Sequence, residues 1–431
     1  MRALGTLATW VSIALGACLE ARGAGDVAVD LGPESDAVEA VEIAAETRPE
    51  PDSGTDTVRA DSAIETEVAG SEVVSDSPAM RLHVIDVGQG DAVLVELPCG
   101  AMLIDAGGEQ SDDSAAVGSF DSDVALEGYV RAFFARRADL HGTFDLVVLS
   151  HPHIDHTRGV TRLLAMAAAG EIVIRNVVTN GAEGSGSGVR EQRALHDYAD
   201  QHPGIGRWYV LERKTEATGL TNDVIDPFPA PAAGTCGDVD PTITALWGRV
   251  DNDSTLQTQW SDADLDNDNN HSVALRLDFG AASALFTGDL EEAAIAGLVA
   301  RYGASGLLDV DVYKAGHHGS HNGTTAALVN AMSPALAVIS AGPVSREGDW
   351  TAWSYGHPRW RAVRDLLGDN DSDGVSLYRP FAIDAQVATD YENGQGVFET
   401  KQIARAVYST GWEGRAVVVT LHADGTLALP E

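Results

Sequence analysis

The sequence predicts an α/β fold of layered sheets, and three observations predict it. Apolar runs of strand length alternate repeatedly with segments of helix length, the pattern of sheets covered by helices. Near residue 81 apolar positions begin to alternate in part and then meet a Pro/Gly turn, as a hairpin does. Across 431 residues, 44% hydrophobic and 22% charged, the composition is that of an ordinary soluble globular protein with chain enough for a large core.

In chain order, residues 1–18 open with Arg2, run through the mostly apolar Ala3 to Leu15 and close on Gly16-Ala17 before Cys18, the layout of a secretory signal peptide. The run is too short to span a membrane. Leu15-Gly16-Ala17-Cys18 resembles a bacterial lipobox, so a lipid on Cys18 is expected, the alternative being a plain signal cut nearby. Residues 19–79 carry 16 acidic and 3 basic side chains and no Phe, Trp or Tyr, which predicts a disordered acidic linker. A single folded domain is expected over 80–431.

That domain begins with a strand over Arg81 to Leu97, the turn Pro98-Cys99-Gly100, and a second strand over Ala101 to Ile104. Phe144 to Leu149 reads as a buried strand and Thr157 to Ala169 as a helix. Strand and helix alternate again through Ile172–Thr179, Val189–Gln201, Ser272–Phe286 and Leu290–Tyr302. Two polar loops, Gly181–Gly188 and Asp262–Asn270, break the rhythm.

Charge and cysteine content exclude some functions. The net charge is -37, of which -25 falls on residues 80–431, and this argues against a broad nucleic-acid-coating surface. Cys18, Cys99 and Cys236 are too few for a disulfide scaffold and are not spaced as a zinc cluster, so any metal must rest on His and carboxylate. Cys99 and Cys236 could pair after export, but count alone does not establish a disulfide.

Directly after the apolar strand comes Ser150-His151-Pro152-His153-Ile154-Asp155-His156. Three imidazoles and a carboxylate at a strand mouth can converge on cations of the zinc type. Asp369, Asp371 and Asp373 with Gly374 copy the first half of a calcium loop, but Pro380 stands where the closing Glu would be, which leaves a weak calcium site or an acidic turn.

With these residues in place, the sequence resembles the metallo-β-lactamase superfamily, and within it the soluble domain of ComEC-type DNA-uptake proteins. Val84-Ile85-Asp86-Val87-Gly88-Gln89-Gly90-Asp91-Ala92 and Leu103-Ile104-Asp105-Ala106-Gly107 look like opening motifs. Leu285-Phe286-Thr287-Gly288-Asp289, Asp311 to Ser320 and Tyr355-Gly356-His357-Pro358 follow in family order, and Arg415 to Leu429 looks like the closing strand pair. The resemblance implies a four-layer αβ/βα metallo-β-lactamase fold. It also implies two divalent ions, zinc with manganese as the alternative, held by His151, His153, Asp155, His156, His271, Asp289 and His317. Asp289 would bridge them, and Asp105 and His318 would support the ligands; adjacency alone does not decide between His317 and His318. Asp155 and His357 are the residues expected to act in turnover.

The expected activity is metal-dependent hydrolysis of a phosphodiester, with nucleic acid among the candidate substrates. The rival readings are another envelope ester hydrolase, acting on a phosphocholine ester or a lactone, and a non-enzymatic acidic surface protein. The expected location is the bacterial envelope or beyond, with membrane contact only through Cys18 and no obligate protein partner.

Overall fold

The four apolar residues Leu146–Leu149 form a strand that serves two cores: Leu146 and Val148 point into one, Val147 and Leu149 into the other. A strand apolar at every position is what a sheet buried on both faces requires. The computed structural model describes residues 77–109, 120–182, 188–209, 218–230, 232, 234–250, 256, 258–370 and 372–430. The signal-peptide expectation, with Cys18, and most of the linker lie outside the described residues.

Leu146–Leu149 belongs to an eight-stranded sheet ordered Leu427–Ala428, Val417–His422, Ala79–Val84, Val93–Leu97, Gly100–Ile104, Leu146–Leu149, Asn176–Thr179, Gly206–Trp208. Pairing is antiparallel up to Gly100–Ile104 and parallel beyond it. A second, six-stranded sheet is ordered Val407–Ser409, Leu336–Ile339, Val312–Lys314, Ala282–Phe286, Ala274–Phe279, Pro241–Trp247. Its first four strands are mutually parallel.

Side chains such as Leu82, Val95 and Val148 of the first sheet join Ile243, Leu275 and Tyr313 of the second in one core between the sheets. Helices Ser122–Arg136, Val160–Ala168 and Val189–Gln201 bury Leu126, Leu163 and Leu195 on the outer side of the first sheet. Helices Glu292–Tyr302, Ala326–Met332 and Trp360–Leu367 contribute Leu298, Leu328 and Leu366 beside the second. The result is the expected αβ/βα four-layer architecture.

The structure redraws several elements. The Arg81–Leu97 segment is two antiparallel strands, because Ile85 to Ala92 leaves the sheet as a loop turning at Gly88, whose φ is 74°. Ser272–Phe286 is a hairpin turning at Gly280, φ 64°. An unforeseen antiparallel ribbon, Tyr378–Glu392 with Gln395–Arg405, precedes the last strand of the second sheet. Cys99 and Cys236 form a disulfide with Cα atoms 5.1 Å apart, pinning the first turn to the segment before Pro241–Trp247.

Glu96 points from its strand at the Ser122–Arg136 helix and is 2% exposed. His83 Nε2–H donates to it at 3.0 Å, Arg136 at 3.0 and 2.8 Å, and Arg137 at 2.8 Å. Burial alone would raise its pKa, but these donors hold the carboxyl well below the usual range. A depressed carboxyl contributes stability in full above the unfolded value near pH 4.3 and loses it as pH falls. We therefore expect Glu96→Gln to cost about 2 kcal/mol at pH 7, the size of hydrogen bonds to a charged group. In parallel melts at pH 7 and pH 3, that difference should shrink at the lower pH; an undiminished difference would mean packing, not charge, is responsible.

Candidate metal centre

The parallel strands deliver their carboxyl ends to one edge, where binding sites of open α/β sheets form. Asp105 follows Gly100–Ile104, Ser150 and the histidines follow Leu146–Leu149, and Asp289 follows Ala282–Phe286. His317 and His318 follow Val312–Lys314, and Ser340 follows Leu336–Ile339. Backbone bonds join these loops: Asp91 N–H donates to Asp155 O at 2.8 Å, Gly107 N–H to Asp91 O at 2.7 Å and Ala106 N–H to His156 O at 2.9 Å. A Cβ on Gly107 would collide with the Asp155 carbonyl, so only glycine allows this approach. Asp105, His317 and His318 sit at φ 59°, 49° and 52°, left-handed conformations of the sort retained at functional sites.

Four side chains converge here. Asp155, His156, Asp289 and His318 each offer one ligand atom, all within 4.8 Å of one another. His156 Nε2 lies 3.2 Å from Asp289 Oδ1, and His318 Nε2 lies 3.3 Å from Asp155 Oδ2 and 3.5 Å from Asp289 Oδ2. Both Nε2 atoms are buried without a hydrogen-bond partner of good geometry among the described residues. Donors bound at about 2.1 Å to one tetrahedral ion stand about 3.4 Å apart, so these separations fit a metal ion held between them.

The far nitrogens are already committed. His156 Nδ1–H donates to Asp105 Oδ2 at 2.8 Å, and Asp105 also accepts from Ser150 N–H at 2.7 Å and Ser150 Oγ–H at 2.8 Å. His318 Nδ1–H donates to Ser340 O at 3.0 Å. Each ring thus has its tautomer fixed with Nε2 free to ligate. Burial opposes charge throughout, yet Asp289 and Asp105 raise His156 well above its ordinary value, while His156, His318 and His317 hold Asp289 well below its own. Asp91, Asp105 and His156 also cluster, but Asp91 is paired with Lys314 at 2.7 Å and Asp105 is occupied by its donors, so this trio supports the site.

A family model described as the Metallo-beta-lactamase superfamily matches residues 85–342. The chain belongs to that superfamily. It is 32% identical over 146 residues to Competence protein ComA of Neisseria gonorrhoeae, covering 34% of this chain and 18% of that protein. It is 25% identical over 317 residues to ComE operon protein 3 of Bacillus subtilis, covering 69% and 33%. The chain thus spans at most a third of the length of these two relatives and corresponds to a ComEC-like part of them. Among solved structures, the metallo-beta-lactamase fold protein YhfI from Bacillus subtilis is 14% identical, covers 61% of this chain and 85% of its own, and gives a TM-score of 0.33.

Not every expected ligand of this superfamily member reaches the cluster. His151 Nε2 and His153 Nδ1 face each other at 3.1 Å, with His151 Nδ1–H bound to Ser150 Oγ at 3.1 Å. His271 was expected to complete that pair but turns away: Val250 N–H donates to its Nδ1 at 3.2 Å and its Nε2–H donates to Leu265 O at 2.8 Å. His317 also lies outside the cluster. His318, assigned a supporting role, is the one that joins the cluster of Asp155, His156 and Asp289, while His317 Nε2 stays 3.9 Å from Asp289 Oδ2 and both residues are in left-handed conformations. His317 instead gives its backbone N–H to Asp289 Oδ1 at 3.1 Å. His357 stacks 6.1 Å from His318, and burial together with His317 and His318 holds its ring neutral.

In the calcium-like turn, Asp371 lies outside the described residues. The neighbouring Asn370 and Ser372 are hydrogen-bonded to Asp365, and Asp373 gives its N–H to Asn330. Sequence reasoning placed Gln89, Asp91 and Lys314 within family-like motifs but gave them no role. The available signal was that Lys314, one of three lysines in the chain, stands just before the double histidine.

The geometry predicts how metal content responds to substitution. Elemental analysis of protein purified without chelator should find divalent metal in the wild type and little in Asp289→Asn or His318→Ala. Asp105→Asn should bind about 10- to 100-fold more weakly. His271→Ala should keep its metal; losing it while His318→Ala keeps its own would reverse the assignment of the two imidazoles.

Proposed function

We propose that the protein is an exported metal-dependent hydrolase of phosphodiesters. The observation that carries this reading is Asp289, whose two oxygens face His156 and His318 in an environment built only of histidine and carboxylate. Two divalent ions are proposed, zinc with manganese as the alternative, one held by Asp155, His156, Asp289 and His318 and the other reached by His151, His153 and Asp289. Such a pair polarises a phosphoryl oxygen and lowers the pKa of water toward 7.

The chain's own groups do the rest. Asp105 and the Ser340 carbonyl keep His156 and His318 aimed inward, and the Lys314–Asp91 pair cancels one buried anion beneath them. His357, buried beside His317 and His318, donates a hydrogen bond to the leaving oxygen. The negative fold favours a substrate held locally over one wrapped along the surface.

Export is supported by the Cys99–Cys236 disulfide, since such bonds persist in oxidising compartments, together with the signal-like residues 1–18 and the lipobox at Cys18. Among the described residues no helix is long and apolar enough to cross a membrane. Cell fractionation with mass spectrometry checks this: a retained Met1 on the mature protein would count against it.

A panel of chromogenic phosphodiester, phosphocholine ester, lactone and β-lactam substrates tests the chemistry. Phosphodiester turnover should dominate, vanish with chelator and return with zinc or manganese. His357→Ala should lower turnover about 100-fold at unchanged metal content and melting temperature, the scale of acid–base assistance. Metal-replete protein that leaves phosphodiesters intact while cleaving another member of the panel would move the assignment to that class.

A further inference from the structure

Gln89 is 1% exposed and lies on the loop that interrupts the first two strands. Its side-chain Nε2 is 3.0 Å from His357 Nδ1, a contact across 268 residues of sequence. The amide nitrogen of glutamine can only donate, so the ring nitrogen it meets must accept. An imidazole that accepts at Nδ1 while neutral carries its proton on Nε2.

The backbone of Gln89 is anchored, while its side-chain Oε1 is buried without a hydrogen-bond partner among the described residues. Its backbone N–H donates to Glu109 Oε1 at 3.2 Å, and the same oxygen takes the Arg346 guanidinium at 2.6 Å. Arg158 grips the Glu109 carbonyl at 2.7 Å. The plane of the His357 ring is fixed separately: Tyr355 stacks at 5.8 Å with 17° between planes, and His318 at 6.1 Å with 23°. Stacking sets where the ring lies but leaves open which nitrogen holds the proton; with the Gln89 amide nitrogen turned toward it, Nδ1 is the acceptor.

We propose that Gln89 is a positioning residue that locks His357 in its Nε2–H tautomer, so that His357 presents a donor to whatever occupies the metal centre. The consequence for turnover rests on the phosphodiesterase reading; the tautomer itself does not. The fixed donor would complement charge growing on an oxygen of the substrate, a role in which orientation matters more than acidity.

The test uses the full chain with ¹⁵N-labelled histidine and long-range proton–nitrogen correlation spectra, the His357 signals being those lost in His357→Asn. In the wild type His357 should show a protonated Nε2 and a bare Nδ1. Gln89→Glu offers only an acceptor, so it should move the proton to Nδ1. Gln89→Met, with no polar atom at that reach, should leave both tautomers populated. On phosphodiesters Gln89→Met should lower kcat about 10- to 100-fold, the range of outer-shell substitutions, with KM within about twofold. A wild-type proton on Nδ1, or a His357 pattern unmoved by Gln89→Glu, would overturn the proposal. If the tautomer shifts as stated while no phosphodiester is cleaved by any variant, the positioning role stands and the functional reading falls.

Discussion

A single carboxylate, Asp289, has to satisfy both halves of the molecule at once. It leaves the second sheet after Ala282–Phe286, yet one oxygen faces His156, which belongs to a loop of the first sheet. The other faces His318, from the next strand of its own sheet. Its backbone N–H is held by Ser272 Oγ at 3.1 Å and its Oδ1 by the His317 N–H. Asp91, Asp105 and Asp155 crowd the same neighbourhood, and buried anions in such number require compensation from protonated imidazole or bound cations. Lys314 neutralises one of them; His156 and His318 share the others. The meeting of the two sheets is therefore electrostatic at its edge as well as apolar in its core.

What the sequence disclosed followed from local pattern. The Val189–Gln201 helix agrees residue for residue, and the Leu290–Tyr302 expectation differs only at its start, because in each an apolar face at helical spacing is the face that packs. Ser272–Phe286 merged two strands because Gly280 was the sole turn residue between two mostly apolar stretches. The Tyr378–Arg405 ribbon escaped notice because much of it is solvent-facing, with Phe381 84% exposed, so alternation in burial never formed a legible stripe. In the site, the tight His-x-His-x-Asp-His spacing on one loop announced itself. The choice between His317 and His318 did not, since it turns on two left-handed backbone angles that adjacent identical residues cannot reveal. His271 misled for the converse reason: right in residue type and position, it is claimed on both nitrogens by backbone groups, of Leu265 just before it and of Val250 beyond the polar loop.

Gly107 has an implication of a different order. Its approach to the Asp155 carbonyl is backbone against backbone, and Gly90 makes a second such approach to the same oxygen. Neighbouring side chains cannot repack to make room, because no side chain occupies the gap. An inherited change at either glycine would therefore be as unforgiving as one at a ligand, though neither bears a reactive group. The site is therefore constrained by backbone spacing at places that bear no reactive group.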